Sequence, residues 1–99
     1  MHGPLDGIRV FDLTHAAVGP WAAMLLGSLG ADVIKVEHPE GDIIRVVPPN
    51  QRGLGVVYSH CNLNKRGIIL DLKNPEHREV AYRLVEKADI FMENMRPGT

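Results

Sequence analysis

A single cysteine, Cys61, stands in this chain of 99 residues. An internal disulfide is therefore excluded, and the simplest expectation is a reducing, cytoplasmic compartment. Charge of one sign is also missing, since 11 Lys and Arg stand against 12 Asp and Glu for a formal net charge of −1. That balance gives no basic field for nucleic acid, and no polybasic cluster points to a membrane surface. No apolar run approaches the roughly 20 residues that a spanning helix needs. The opening residues show no basic segment followed by an apolar one. His2, His60 and His77 have no ligand spacing with Cys61, so no metal site is expected. Small molecules or another protein remain as partners.

What is present is an α/β pattern. The length fits one domain of about 100 residues, a size that buries only about 60 to 65% of its unfolded surface, and an apolar fraction of 44% permits a core. Val10, Phe11 and Leu13 form a nearly continuous apolar run, as in a parallel strand covered on both faces, with Asp12 interrupting it. A tight turn at residues 15–20 follows. Gly19 suits the cap and Pro20 the first position of a helix, where a missing N–H is no loss. Trp21, Met24, Leu25 and Leu29 fall at helical spacing and read as core, and Gly30 supplies a left-handed stop. Asp32 to Glu37 gives a second strand through Val33, Ile34 and Val36.

Residues 38–54 carry Pro39, Gly41, Pro48, Pro49 and Gly53 and read as a loop of about 15 residues, long enough to suggest a functional role. Residues 56–60 fit a strand or one or two helical turns, and residues 62–66 a polar turn. Residues 67–72, GIILDL, read as a third strand. Asn74 as cap, Pro75 at the first position and Glu76 near the positive dipole end then start a helix. Val80, Ala81, Leu84, Val85 and Ala88 trace its apolar side, and Glu79 and Arg83 stand four apart on an exposed face. Asp89 turns the chain into a strand over residues 90–93, and residues 94–99 form a Pro-Gly turn that looks cut rather than finished. This order of elements predicts right-handed crossovers and a mainly parallel, Rossmann-like sheet with helices on both faces.

In such a sheet ligands lie beyond the carboxyl ends of the strands, here residues 14–19, 37–38, 70–73 and 94–96. Glu37 stands where a ribose-binding acid would, but HAAVGPW replaces the glycine-rich turn of a dinucleotide site. His15 at the tip of the first strand reads equally as a ligand contact or base and as a plain turn residue. Lys65, Arg66, Lys73 and Arg96 are candidate phosphate contacts if they converge, and solvated surface charges if they do not. Asp12 in a buried strand must be hydrogen-bonded or paired, because an isolated buried carboxylate is costly. Lys65 and Arg66 lie near Cys61 in sequence, yet a small half-buried residue is the stronger reading of that thiol. No nucleophile is paired with a base.

Three blocks carry a family resemblance. LDGIRVFDLTHAAVGPWAAMLLGSLGADVIKVEHPEGD, then NLNKRGIILDLKNPE, then KADIFMENMRPG resemble, in order and spacing, the amino-terminal segment of the family III CoA-transferases. Formyl-CoA transferase, carnitine CoA-transferase and the alpha-methylacyl-CoA racemases belong to that group. The resemblance implies that residues 1–99 are the amino-terminal part of a larger Rossmann-like, CoA-binding domain. It also implies an interlocked homodimer of the full-length chain, an acyl-CoA substrate with a carboxylic acid acceptor, and transfer through an aspartyl-CoA thioester, or inversion beside the thioester in the racemases.

The cofactor-binding positions implied by the resemblance are Ala17, Val18, His38, Leu70, Asp71, Leu72, Lys73, Asn94, Met95 and Arg96, which fall at the four strand ends. His38 replaces a common arginine, weakening bidentate phosphate contact. Met95 replaces a usual aromatic, exchanging ring stacking for a softer thioether contact. The catalytic aspartate, the glycine-rich loop and the small domain are implied to lie beyond Thr99, so no catalytic residue is assigned within this chain.

Overall fold

A computed structural model describes residues 3–51 and 54–99. Met1 and His2 of the leading segment and Gly53 of the long loop lie outside the described residues. The elements are β1 (Arg9–Asp12), α1 (Val18–Ser28), β2 (Asp32–Glu37), a 3-10 turn (Ile43–Arg45), β3 (Asn50–Gln51), β4 (Leu54–Gly55), α2 (Val56–Cys61), β5 (Lys65–Ile69), α3 (Pro75–Glu86) and β6 (Ile90–Met92). Strands β5, β2, β1 and β6 form one parallel sheet in that order, and β3 and β4 a short antiparallel pair. The α/β expectation holds.

Consecutive strand residues point to opposite faces, so Val10 and Phe11 start two separate cores. On one face Val10 and Val33 pack with Ala23 and Ala31, and Ile90 and Met92 close the edge. On the other, Phe11, Val36 and Leu70 pack with Ala81, supported by Leu84 and Val85 of α3. Phe11 also stacks on Phe91 with ring centroids 5.3 Å apart. Helix α3 starts as the sequence predicts: Asn74 accepts a hydrogen bond from the Glu76 N–H, and Pro75 is the first helical residue.

Four readings are corrected. Helix α1 begins at Val18 with Ala17 as its cap, not at Pro20 with Gly19 as its cap. Gly19 is needed for close approach instead, since a Cβ there would stand 2.7 Å from the Thr14 Cβ and 2.9 Å from the Asn94 amide nitrogen. The helix turns its small residues Pro20, Ala23 and Gly27 inward, leaving Trp21, Leu25 and Leu29 exposed rather than in the core. A helix apolar on nearly every side gives no periodic signal of which face is buried. The long loop contains the 3-10 turn and the β3–β4 pair, with Asp42 capping the former. The third strand starts at Lys65, two residues before the apolar run, because Lys65 and Arg66 find carboxylate partners there.

The undecided residues 56–60 are helical, within α2. Gly30 adopts the left-handed φ of +106° expected of a helix stop. Among the described residues no helix is long and apolar enough to cross a membrane.

Candidate functional site

The carboxyl ends of β5, β2, β1 and β6 open onto a groove built of three adjoining cavities. One of about 220 Å³ lies between Thr14, His15, His38, Asp42 and Met95. The second, about 470 Å³, is walled by His38, Glu40, Asp71, Leu72 and Lys73. The third, about 510 Å³, lies between Leu13, Leu72, Phe91, Met95 and Arg96. His38, Leu72 and Met95 each line two of them, so the three are neighbours.

Beneath this groove the strands carry charge where apolar side chains are expected. Asp12 follows Val10 on one face and Lys35 follows Val33, and the two charged residues are direct partners across β1 and β2. Asp12, fully buried, accepts from the Thr14 hydroxyl and N–H, and pairs with the Lys65 ammonium at 2.7 Å. Lys35, also buried, donates to Asp42 at 2.9 Å and to the Thr14 carbonyl at 3.2 Å. Each buried ion is thus matched, which is the condition for tolerating it. Burial pushes the Lys65 ammonium down from its ordinary pKa, against the pull of Asp12.

A third ion pair borders this layer. The Arg45 guanidinium grips Glu37 through Nε at 2.7 Å and Nη2 at 2.9 Å, lies 3.9 Å from the Tyr58 ring centroid, and donates to the Tyr58 hydroxyl. The hydrogen bond from Arg45, helped by the Asp42 N–H and Tyr58, holds the Glu37 carboxyl down at about 2 even though burial opposes it. Burial, followed by its hydrogen bond to Glu37, pushes the Tyr58 phenol up to about 12. Glu37 is therefore occupied, and its carboxylate is not free for a ribose.

The turn between β1 and α1 is fixed from three sides. Asn94 binds both backbone groups of His15. Asp42 accepts from the Ala16 N–H at 2.9 Å, and Lys35 holds the Thr14 carbonyl. Ala16 sits at φ +70°, a left-handed conformation that costs an alanine roughly 1 to 2 kcal/mol. Among the described residues no side-chain hydrogen bond caps α1 at Ala17.

The predicted site residues divide accordingly. His38, Asp71, Leu72, Lys73, Met95 and Arg96 line the groove. Ala17 is half-buried at the start of α1 and Val18 is 80% exposed beside it. Leu70 is buried against α3 and lines none of the three cavities. The Asn94 side chain is engaged with His15. Lys65 and Arg66 do not join Lys73 and Arg96: the first is buried on Asp12, and the second forks onto Asp32 at the amino end of β2. His77 accepts from the Asp71 N–H at 2.8 Å. Among the described residues no three His, Cys, Asp or Glu side chains are placed to hold a metal ion.

Sequence reasoning missed Lys35, Asp42 and the Arg45–Tyr58 pair. A lysine between Ile34 and Val36 in a strand was a visible signal, as was an aspartate just before a helical turn.

An open parallel sheet with cavities across its strand ends defines a Rossmann-like α/β unit, and the comparisons place it more closely. The sequence profile of CoA-transferase family III matches residues 5–99, and the chain belongs to that family. Succinyl-CoA:mesaconate CoA-transferase of Haloarcula hispanica is 45% identical over 102 residues, covering 98% of this chain and 26% of that protein. Formyl-CoA:oxalate CoA-transferase of Bradyrhizobium sp. is 45% identical over 96 residues, covering 95% and 23%. A crystal structure of a CAIB/BAIF family protein from Brucella suis superposes with a TM-score of 0.92 at 42% identity, over 99% of this chain and 27% of that one. The chain therefore spans about a quarter of the length of these relatives.

Proposed function

We propose that residues 1–99 are the CoA-binding amino-terminal part of a transferase that moves CoA between carboxylic acids. The observation that carries this reading is the set of three neighbouring cavities at the strand ends, lined among others by His38, Leu72, Lys73, Met95 and Arg96. On this reading Lys73 and Arg96 attract the CoA phosphates, and Leu72 and Met95 bed its apolar parts. Backbone N–H groups at Ala17 and Val18 face oxygen atoms of the ligand. The Leu70–Asp71 backbone and Asn94 shape the walls.

The chemistry of the parent reaction is nucleophilic: a carboxylate from outside these 99 residues attacks the acyl-CoA thioester, and CoA then passes to an acceptor acid. Full-length chains act as homodimers in the cytoplasm on this proposal. Inversion beside the thioester is the alternative within the same family, and the naming of relatives as CoA-transferases favours transfer. A third reading is a non-catalytic binding or interaction module.

Calorimetric titration with CoA tests the proposal. Saturable binding that weakens when Lys73 and Arg96 are both changed to alanine supports it. Equal heats for the parent and the double variant would overturn it.

A further inference from the structure

We propose that Asp42 is the positioning residue that holds the β1–α1 turn in its ligand-ready shape. The inference rests on the reading of Ala17 and Val18 as acyl-CoA contacts and adds how their geometry is imposed. Asp42 is 6% exposed, and its carboxylate lies between the turn and Lys35 of β2. Oδ1 accepts from the Ala16 N–H at 2.9 Å, and Oδ2 accepts from the Lys35 ammonium at 2.9 Å. Lys35 in turn donates to the Thr14 carbonyl at 3.2 Å. One carboxylate therefore grips the turn twice, directly at Ala16 and through Lys35 at Thr14.

Asp12 fixes the start of the turn locally at Thr14, but no neighbour in sequence accounts for the shape at Ala16. Ala16 lacks the freedom of glycine at its φ of +70°, and among the described residues the cap position Ala17 makes no side-chain cap bond to the first turn of α1. Its conformation is imposed from outside, and Asp42 is itself set in place. Its own N–H donates to Glu37 at 2.7 Å, and its Oδ1 also accepts from the Ile44 N–H at 3.1 Å. Ala17 and Val18 follow directly on the strained residue, so releasing Ala16 moves the two amides that the ligand meets.

Four variants separate positioning from general support. In Asp42→Asn an oxygen remains for Ala16 while the ion pair with Lys35 is lost. In Asp42→Ala both are lost. Ala16→Val makes the left-handed conformation costlier without touching Asp42, and Ala16→Gly in the Asp42→Ala background makes it free of cost. CoA affinity is expected to fall at least tenfold in Asp42→Ala and in Ala16→Val, to fall far less in Asp42→Asn, and to be partly restored by Ala16→Gly. Affinity that drops equally in both Asp42 variants, with no restoration by glycine, would overturn the proposal, as would unchanged affinity in a folded Asp42→Ala.

Should Asp42→Ala not fold, Ala16→Val and Asp42→Asn decide by the same comparison. Should the parent chain not bind CoA at all, the CoA reading falls separately, and amide exchange at Ala16 to Val18 then judges the turn. Faster exchange in Asp42→Ala or Ala16→Val than in Asp42→Asn supports positioning. Equal exchange contradicts it.

Discussion

The side-chain amide of Asn94 replaces a strand partner for His15: the His15 N–H donates to Oδ1 at 3.1 Å, and Nδ2 donates to the His15 carbonyl at 2.9 Å. The end of β6 is thereby tied to the turn that leaves β1, 79 residues away in the chain. Asn94→Ala removes both bonds at an exposed site, for an expected loss of about 1 kcal/mol. CoA affinity is expected to fall several-fold, because the loosened turn carries Ala17 and Val18. Asn94→Asp keeps only the acceptor and should lie between. Urea melts and calorimetry on the same samples check both quantities.

Breaking the Asp12–Lys65 pair is expected to be far costlier. Lys65→Met leaves the Asp12 carboxylate buried without its cation, an effect of about 3 to 5 kcal/mol. Adding Asp12→Asn to Lys65→Met should recover a large part, since no buried charge then remains unmatched. Chemical denaturation of the single and double variants measures the coupling, and simple additivity would contradict the arrangement described.

Stability should fall at both extremes of pH. The Glu37 carboxyl lies at about 2 in the folded chain against an ordinary 4.5. A depressed acid contributes fully above its unfolded value, so its contribution is lost as pH falls from about 4.5 towards about 2. The Tyr58 phenol is raised from 10.0 to about 12, so its contribution is lost as pH rises across that interval. Glu37→Gln is expected to flatten the acid limb and Tyr58→Phe the alkaline limb, as read by thermal melts across the pH range.

The outer face of α1 predicts self-association. Trp21, Leu25 and Leu29 are 52, 41 and 46% exposed along one line of the helix. A contiguous apolar strip of this kind promotes association. Changing all three to serine should lower the sedimenting mass of the 99-residue chain at high concentration, while each exposed change alters stability by only about 0.5 kcal/mol. Identical monomeric sedimentation of both chains would contradict the prediction.

The strands β1 and β2, the caps of α3 and the Gly30 stop were legible because each rests on a local signal: an apolar run, an Asn-Pro pair, a glycine after a helix. The groove was also legible, since a parallel sheet fixes where ligands meet strand ends. The inward face of α1 was not, because its large and small residues are both apolar and only packing against the sheet selects Ala23 and Gly27. The fates of Lys65 and Arg66 depended on Asp12 and Asp32, partners 53 and 34 residues away. The grip of Asp42 on Ala16 is equally non-local, and a left-handed alanine leaves no trace in composition.

The most direct test of a CoA-binding groove at the strand ends is a two-dimensional amide spectrum of residues 1–99, recorded with and without CoA. Dispersed peaks with saturable shifts at Ala17, Val18, His38, Lys73 and Asn94, and none at the far ends of the strands near Arg9 and Asp32, are the predicted result. A dispersed spectrum that CoA leaves unchanged, or shifts confined to the opposite edge of the sheet, would contradict the account.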